Sequence, residues 1–420
     1  MSHRFVGRGA AIAALVAGLA GGAASCRSGS TCAAGPVVGQ APFAIAALTG
    51  VGLGSENGTG WPETGEAVRA VDWGEGPFHQ VTLAVDLGTT CFPFETWADD
   101  PPPAGQLWPA TCDAFDRNID AYVEDDGEAQ AGAANDGAAN DGAVATTEDP
   151  GDAGALSPLG GSFNVVHAIT PFGGPEHLEV DLTDLANARP GKHRLRIHLE
   201  SYSDPAGKVT GSNAGWTVSA TIAVSPGPAP RRVLAAQALV AGRVGPGDAP
   251  STSTFEVPAG AHAGRIEYRA SGHGQGPRVV GCIGPADEFC ARSHLVFVDG
   301  AEVDAIDLHR DDCQSLCTLT HHSPADAGLG PPSGAFDYCA ENPCGAASSV
   351  RAARANWCPG SMTAPQVWDG FAAFAVRGPH TFSTQIVDIG QDGSWLVSAT
   401  YYAYVDAQPA ADASVDADAD

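Results

Sequence analysis

Leu178-Glu179-Val180-Asp181-Leu182 alternates apolar and acidic side chains with a period of two, the pattern of a strand with one face on a core and the other in water. The same period runs through Gln80-Val81-Thr82-Leu83-Ala84-Val85, His193 to Leu199 and Trp216 to Val224. It returns in Arg265 to Tyr268, His294 to Val298 and Trp395 to Tyr404, and no segment carries a sustained apolar stripe at helical spacing. The 53 glycines and 31 prolines supply turns between short strands. The expected class is all-β, built from sandwiches.

Ser225-Pro226-Gly227-Pro228-Ala229-Pro230 concentrates three prolines in six residues, a stiff spacer that no sheet interior accepts. It divides an N-terminal domain, 41–225, from a C-terminal domain, 231–405, with 226–230 as linker. A chain of 420 residues with 44% hydrophobic content can give each domain its own core. Between 125 and 157 the composition turns to Ala, Gly, Asp and Asn, with Gly-Ala-Ala-Asn-Asp in tandem from Gly132 to Asp141. This reads as a disordered acidic insertion, and 406–420 as a disordered acidic tail.

Arg4 and Arg8 precede an apolar run from Ala10 to Ala24 that ends in Ala23-Ala24-Ser25-Cys26, so residues 1–25 read as an export signal. The run is too short for a good membrane span. Its terminal cysteine gives it the form of a bacterial lipoprotein signal, which would lipidate Cys26 and leave 26–40 as a tether from the outer membrane; plain cleavage and secretion is the alternative. Eleven cysteines in an exported chain imply disulfides. Their irregular spacing lacks the paired Cys-x-x-Cys of a zinc site.

A net charge of -28 argues against nucleic acid and an anionic membrane face. Much of it sits in low-complexity segments, so it says little about substrate. Asp86-Leu87-Gly88-Thr89-Thr90 imitates the phosphate loop of sugar kinases and actin-like ATPases, but the α/β pattern that loop requires is missing. His321-His322 could bind metal, yet Met1 and Met362 are the chain's two methionines, which argues against copper chemistry. Neither metal nor cofactor is expected.

Four stretches carry the chemistry. Thr111-Cys112-Asp113-Ala114-Phe115-Asp116-Arg117 sets two carboxylates beside a guanidinium and a cysteine. Leu199-Glu200-Ser201-Tyr202, Asp287-Glu288-Phe289-Cys290-Ala291-Arg292-Ser293-His294 and Arg354-Ala355-Asn356-Trp357-Cys358-Pro359-Gly360 each put a charge beside an aromatic ring. Alone, Glu200 would be a solvated strand end, Glu288 a loop ion pair and Arg354 a surface cation. In this order, and with Ala168-Ile169-Thr170-Pro171-Phe172, the motifs resemble the bacterial peptide N-glycosidase F family. The resemblance runs from about Gln80 to Val405, broken by the acidic insertion and by a longer cysteine loop from Cys313 to Cys344.

The resemblance implies two adjacent antiparallel jelly-roll sandwiches. It also implies hydrolysis of the amide that joins N-acetylglucosamine to asparagine in N-glycosylated proteins or peptides. It puts the principal catalytic carboxylate on Asp116, the second on Glu288 and the third on Glu200, with Arg354 as the arginine that pairs with the principal aspartate. Cleaving a glycosylamide requires an activated water, a donor for the developing oxyanion and a proton for the leaving nitrogen. Carboxylates drawn from both domains would meet at their junction, a common place for ligand sites.

The family's disulfides correspond to Cys91 with Cys112 and Cys282 with Cys290; Cys358 is expected to meet Cys313, with Cys344 as competitor. Where the family's cleft uses several tryptophans, the aligned residues are Phe115, Tyr202, Phe289 and His273, and only Trp357 is kept. With Asp113 and Arg117 these form the expected substrate-binding set, and the smaller rings imply altered glycan recognition. A monomer is expected. The rival readings are a glycan-binding or adhesion lipoprotein without turnover, and a hydrolase of other glycoconjugates.

Overall fold

The computed structural model describes residues 41–126, 161–274, 284–322 and 336–406. The expected signal, tether and acidic tail, nearly all of the insertion, and both Cys26 and Cys282 lie outside these residues.

The chain is all-β, two antiparallel sandwiches side by side. In the first, one sheet runs Glu63–Thr64, Phe43–Gly54, Gly215–Pro226, Phe78–Gly88, Glu176–Asp181. The facing sheet runs Ser361–Met362, Ser162–Ile169, Asn118–Asp125, Lys192–Leu199, Glu66–Asp72. In the second sandwich, Val233–Val244, Gly393–Tyr404, Ala263–Gly274 and Gln366–Trp368 form one sheet, and Ser251–Val257, Gly378–Ile386, Arg292–Val298 and Ala301–Leu308 the other. Leu319–His322 pairs with Phe336–Cys339 in a separate two-stranded sheet that packs on Phe94.

The period of two becomes burial. Leu178 faces the core while His177 and Glu179 face water, and across the ladder Val81, Leu83 and Val85 fill the same core. Phe255, Ile266, Phe382, Trp395 and Tyr401 fill the second. The strand Gly215–Pro226 ends on the first proline of the spacer and the next strand begins at Val233.

The proline spacer is nevertheless not a clean border. Ser361 and Met362, far along the chain, pair with Ile169 and Ala168 at the edge of a first-sandwich sheet. Ala236, Tyr402 and Tyr404 of the second sandwich pack into the first core. This contiguity lets loops from both halves form one site. Among the described residues no helix is long and apolar enough to cross a membrane.

Candidate active site

The loop that delivers Asp116 is fixed from both sides. Cys112 is disulfide-bonded to Cys91, and Arg117 N and O bond Thr170 Oγ1 and N at 2.9 and 2.8 Å, just before the strand Asn118–Asp125 begins. Asp113 is the internal anchor. It is fully buried; its carboxylate accepts from Arg117 Nε (3.0 Å), Ser201 Oγ (2.7 Å) and Thr210 Oγ1 (3.1 Å). The expectation that Asp113 contacts substrate therefore needs correction, because its oxygens face inward and are occupied. Its charge instead holds Arg117 against the rings of Phe115 (5.2 Å) and Tyr202 (5.0 Å). Those two rings are exposed at the rim.

Glu200 follows the strand Lys192–Leu199, whose register sets Leu199 opposite Ile119. Its carboxylate accepts from Asn118 Nδ2 at 3.1 Å and faces Arg243 of the second sandwich at 3.7 Å. Glu200 is thus tied to Asn118, two residues after Asp116, but in a contact set of its own.

The second sandwich contributes Glu288 on the single helical turn Ala286–Phe289. Fully buried Asp287 pins that turn by accepting from Arg292 Nε (2.7 Å), Gly390 N (2.6 Å) and Trp395 Nε1 (3.2 Å). Gly272 must lack a side chain, since a Cβ there would overlap the Asp287 carbonyl oxygen and press on Trp395 and Ala355. Arg354 is held by a two-way backbone bridge to Arg310, and Cys358, four residues on, is disulfide-bonded to Cys313. Cys290 is also disulfide-bonded. Cys317 pairs with Cys339, and Cys344 is a free thiol.

Arg354 is 1% exposed and forms a 2.7 Å ion pair with Glu288. Its second arm bonds the Ser349 carbonyl (3.1 Å) and hydroxyl (3.0 Å), and its guanidinium lies between the rings of Phe289 (4.5 Å) and Trp357 (4.3 Å). Trp357 is sealed, donating Nε1–H to the Gly272 carbonyl at 2.8 Å and stacking on half-buried His273 at 5.5 Å. It backs the arginine rather than lining a cleft, which corrects its expected substrate contact. The pairing expected between Arg354 and Asp116 is also different: the direct partner is Glu288, and Asp116 feels the arginine through space.

Electrostatics tie the two carboxylates together. Burial raises the Asp116 pKa, against the opposing charges of Arg354 and Arg117. Burial pushes Glu288 up to about 7, against Arg354, with the Asp116 charge adding to the rise and the Gly274 N–H bond opposing it. The Asp116 charge thus helps to keep a proton on Glu288 near neutrality, so Glu288 can donate while an ionised Asp116 accepts. Arg354 Nε, buried without a partner among the described residues, is a further donor at the same place.

Two groups of metal-ligand type occur among the described residues, Cys91 with Cys112 and Cys344, and Asp312 with Cys313 and Cys358. Each contains a disulfide, so neither offers three free donors. Asp287, Asn118 and Arg243 are site residues that the motifs did not single out. Asp287 stood inside a quoted motif, next to Glu288; Arg243 carried no sequence signal.

Residues 247–402 match the family described as peptide-N-glycosidase F, C terminal. The resemblance drawn from the motifs is borne out. A structure of recombinant peptide: N-glycanase F (PNGase F) is similar at 14% identity over 87% of this chain and 96% of that one, with a TM-score of 0.55. PNGase F described as a glycosylasparaginase from Flavobacterium meningosepticum gives 15% identity over 87% and 96%, with a TM-score of 0.54. PNGF-II gives 15% identity over 86% of this chain and 65% of its own, with a TM-score of 0.56. At these identities the likeness shows the fold. No curated protein matches the chain.

Proposed function

We propose that this chain is an exported peptide-N-glycosidase that hydrolyses the amide between N-acetylglucosamine and asparagine in glycoproteins or glycopeptides. The observation that carries the reading is the coupling of Asp116 and Glu288, from different sandwiches, around buried Arg354. In the reaction a water oxygen bonds to the side-chain carbonyl carbon, the C–N bond breaks, and nitrogen leaves with the sugar as a glycosylamine. The Asp116–Glu288 pair takes the water proton and returns one to the leaving nitrogen, while Arg354 supplies positive charge for the developing oxyanion. Glu200, next to Asn118, holds the sugar side. Phe115 and Tyr202 form an exposed rim on which a glycan can stack, backed by the Arg117 guanidinium, with Phe289 and His273 deeper in.

The test is incubation of the mature protein with a denatured N-glycosylated protein. Mass spectrometry should find free glycan and aspartate in place of asparagine, and Asp116→Asn should abolish both. A glycan-binding lipoprotein without turnover is the second reading, favoured by the exposed Phe115 and Tyr202 rings. Saturable glycan binding with no aspartate formed from any N-glycan would select it. Three disulfides among the described residues fit an oxidising compartment, and lipidation of Cys26 would hold the enzyme at the outer membrane.

A further inference from the structure

Between the two sandwiches runs a buried hydrogen-bonded chain that the proposed reaction does not use. Asp120 Oδ1 meets His167 Nδ1 at 2.8 Å, His167 Nε2 meets Ser271 Oγ at 2.5 Å, and Ser271 Oγ meets His273 Nε2 at 2.7 Å. The first two residues belong to Asn118–Asp125 and Ser162–Ile169 of the first sandwich, and the last two to Ala263–Gly274 of the second. Asp120 and His167 are nearly sealed and Ser271 is wholly so. The chain ends at the site: His273 stacks on Trp357, and the N–H of its neighbour Gly274 bonds Glu288. His273 is half-buried, and its Nδ1 has no partner among the described residues.

A serine hydroxyl has one proton, so this chain allows few arrangements. Asp120 accepts both from His167 and from Asn164 Nδ2 (2.7 Å), as a carboxylate does. His167 Nδ1 therefore carries a proton. If His167 is neutral, its Nε2 accepts from Ser271, Ser271 accepts from His273 Nε2–H, and His273 Nδ1 offers a lone pair. If His167 is protonated, the Asp120 bond keeps its direction, both bonds to Ser271 reverse and His273 Nδ1 carries the proton. His273 stays neutral in both, because burial and the nearby charges of His167, Arg243 and Arg354 disfavour its cation.

We propose that Ser271 copies the protonation state of His167 onto the tautomer of His273, making His273 a hydrogen-bond acceptor toward the site when His167 is neutral and a donor when it is charged. The acceptor form suits an amide N–H of the glycan, which can only donate. That consequence rests on the amidase reading; the tautomer relay does not. The groups facing the chain are Asp120 with His198 behind it, Tyr122 and Arg269 around the small cavity beside His167, and Arg243, Arg354 and Glu288 around His273. Ser271 is a positioning residue here, acting on the glycan through His273.

The test reads imidazole nitrogens of the full mature protein by 15N NMR. With His167 neutral, His273 should show a bare Nδ1 and a protonated Nε2. With His167 charged, the two should exchange while His273 stays neutral. Ser271→Ala should lose the wild-type preference and uncouple His273 from His167, with unchanged backbone spectra reporting the fold. Wild-type tautomers retained in Ser271→Ala, or a protonated Nδ1 beside a neutral His167, would overturn the relay even if His167 never titrates. If the relay holds and no glycan is released, only the amidase reading fails. If both hold, Ser271→Ala should raise KM for a glycopeptide more than it lowers kcat.

Discussion

Arg354 meets Glu288 at 2.7 Å across loops separated by 66 positions, and its other flanks are closed by Phe289, Trp357 and Ser349. A guanidinium fills this slot by being flat between two rings while donating from both arms, and an ammonium cannot do so. Arg354→Lys should therefore lower kcat/KM by about 100-fold or more. It should also move the alkaline limb of the pH profile upward, because the positive charge that opposes the rise in Glu288's pKa is displaced. A pH series of glycan release on both proteins is the check.

Glu288, with its pKa pushed up to about 7, is protonated in mildly acidic solution and ionised above neutrality. If its proton reaches the leaving nitrogen, activity should fall as pH rises through 7. Glu288→Gln should cost about 10²–10⁴-fold in kcat and erase that limb. Glu200→Gln, in a separate contact set, should raise KM more than it lowers kcat.

Glu176 is a buried carboxylate with neither oxygen partnered among the described residues, and burial pushes its pKa up to about 8. The folded chain holds this proton more tightly than the unfolded one. The contribution to stability is therefore whole below about 4.5 and is lost as pH rises to about 8. Glu176→Gln should be nearly neutral at pH 5 and stabilise by on the order of a few kcal/mol above pH 8. Paired melting curves at the two pH values decide it.

Asp113 compensates Arg117 in a pocket where the aspartate is fully buried. Asp113→Ala would leave that guanidinium unpaired and cost about 3–5 kcal/mol in chemical denaturation. Asp113→Asn, which keeps hydrogen bonds to Ser201 and Thr210, should lose less stability. In both, glycan binding should weaken through misplacement of Phe115 and Tyr202.

The alternating stretches announced their strands because a half-buried strand writes its two faces directly into residue order: Leu178 inward, Glu179 outward. The site motifs were legible as clusters of charge, ring and cysteine. What each residue touches was not. Asp113 and Asp116 differ little on paper; one is an occupied internal anchor and the other an open acid in a coupled pair. Trp357 reads as a cleft aromatic and is in fact the floor beneath Arg354.

Residue order alone determined the all-β class, the two cores, and the chemical kinds of group available. Tertiary structure decided which groups meet, because partners such as Glu288 with Arg354, or His167 with Ser271, come from separate strands and loops whose approach is set by sheet register and by packing of one sandwich on the other. Hydrogen bonds and charge coupling act over a few ångströms, and no local pattern in the chain encodes a distance that short between positions so far apart.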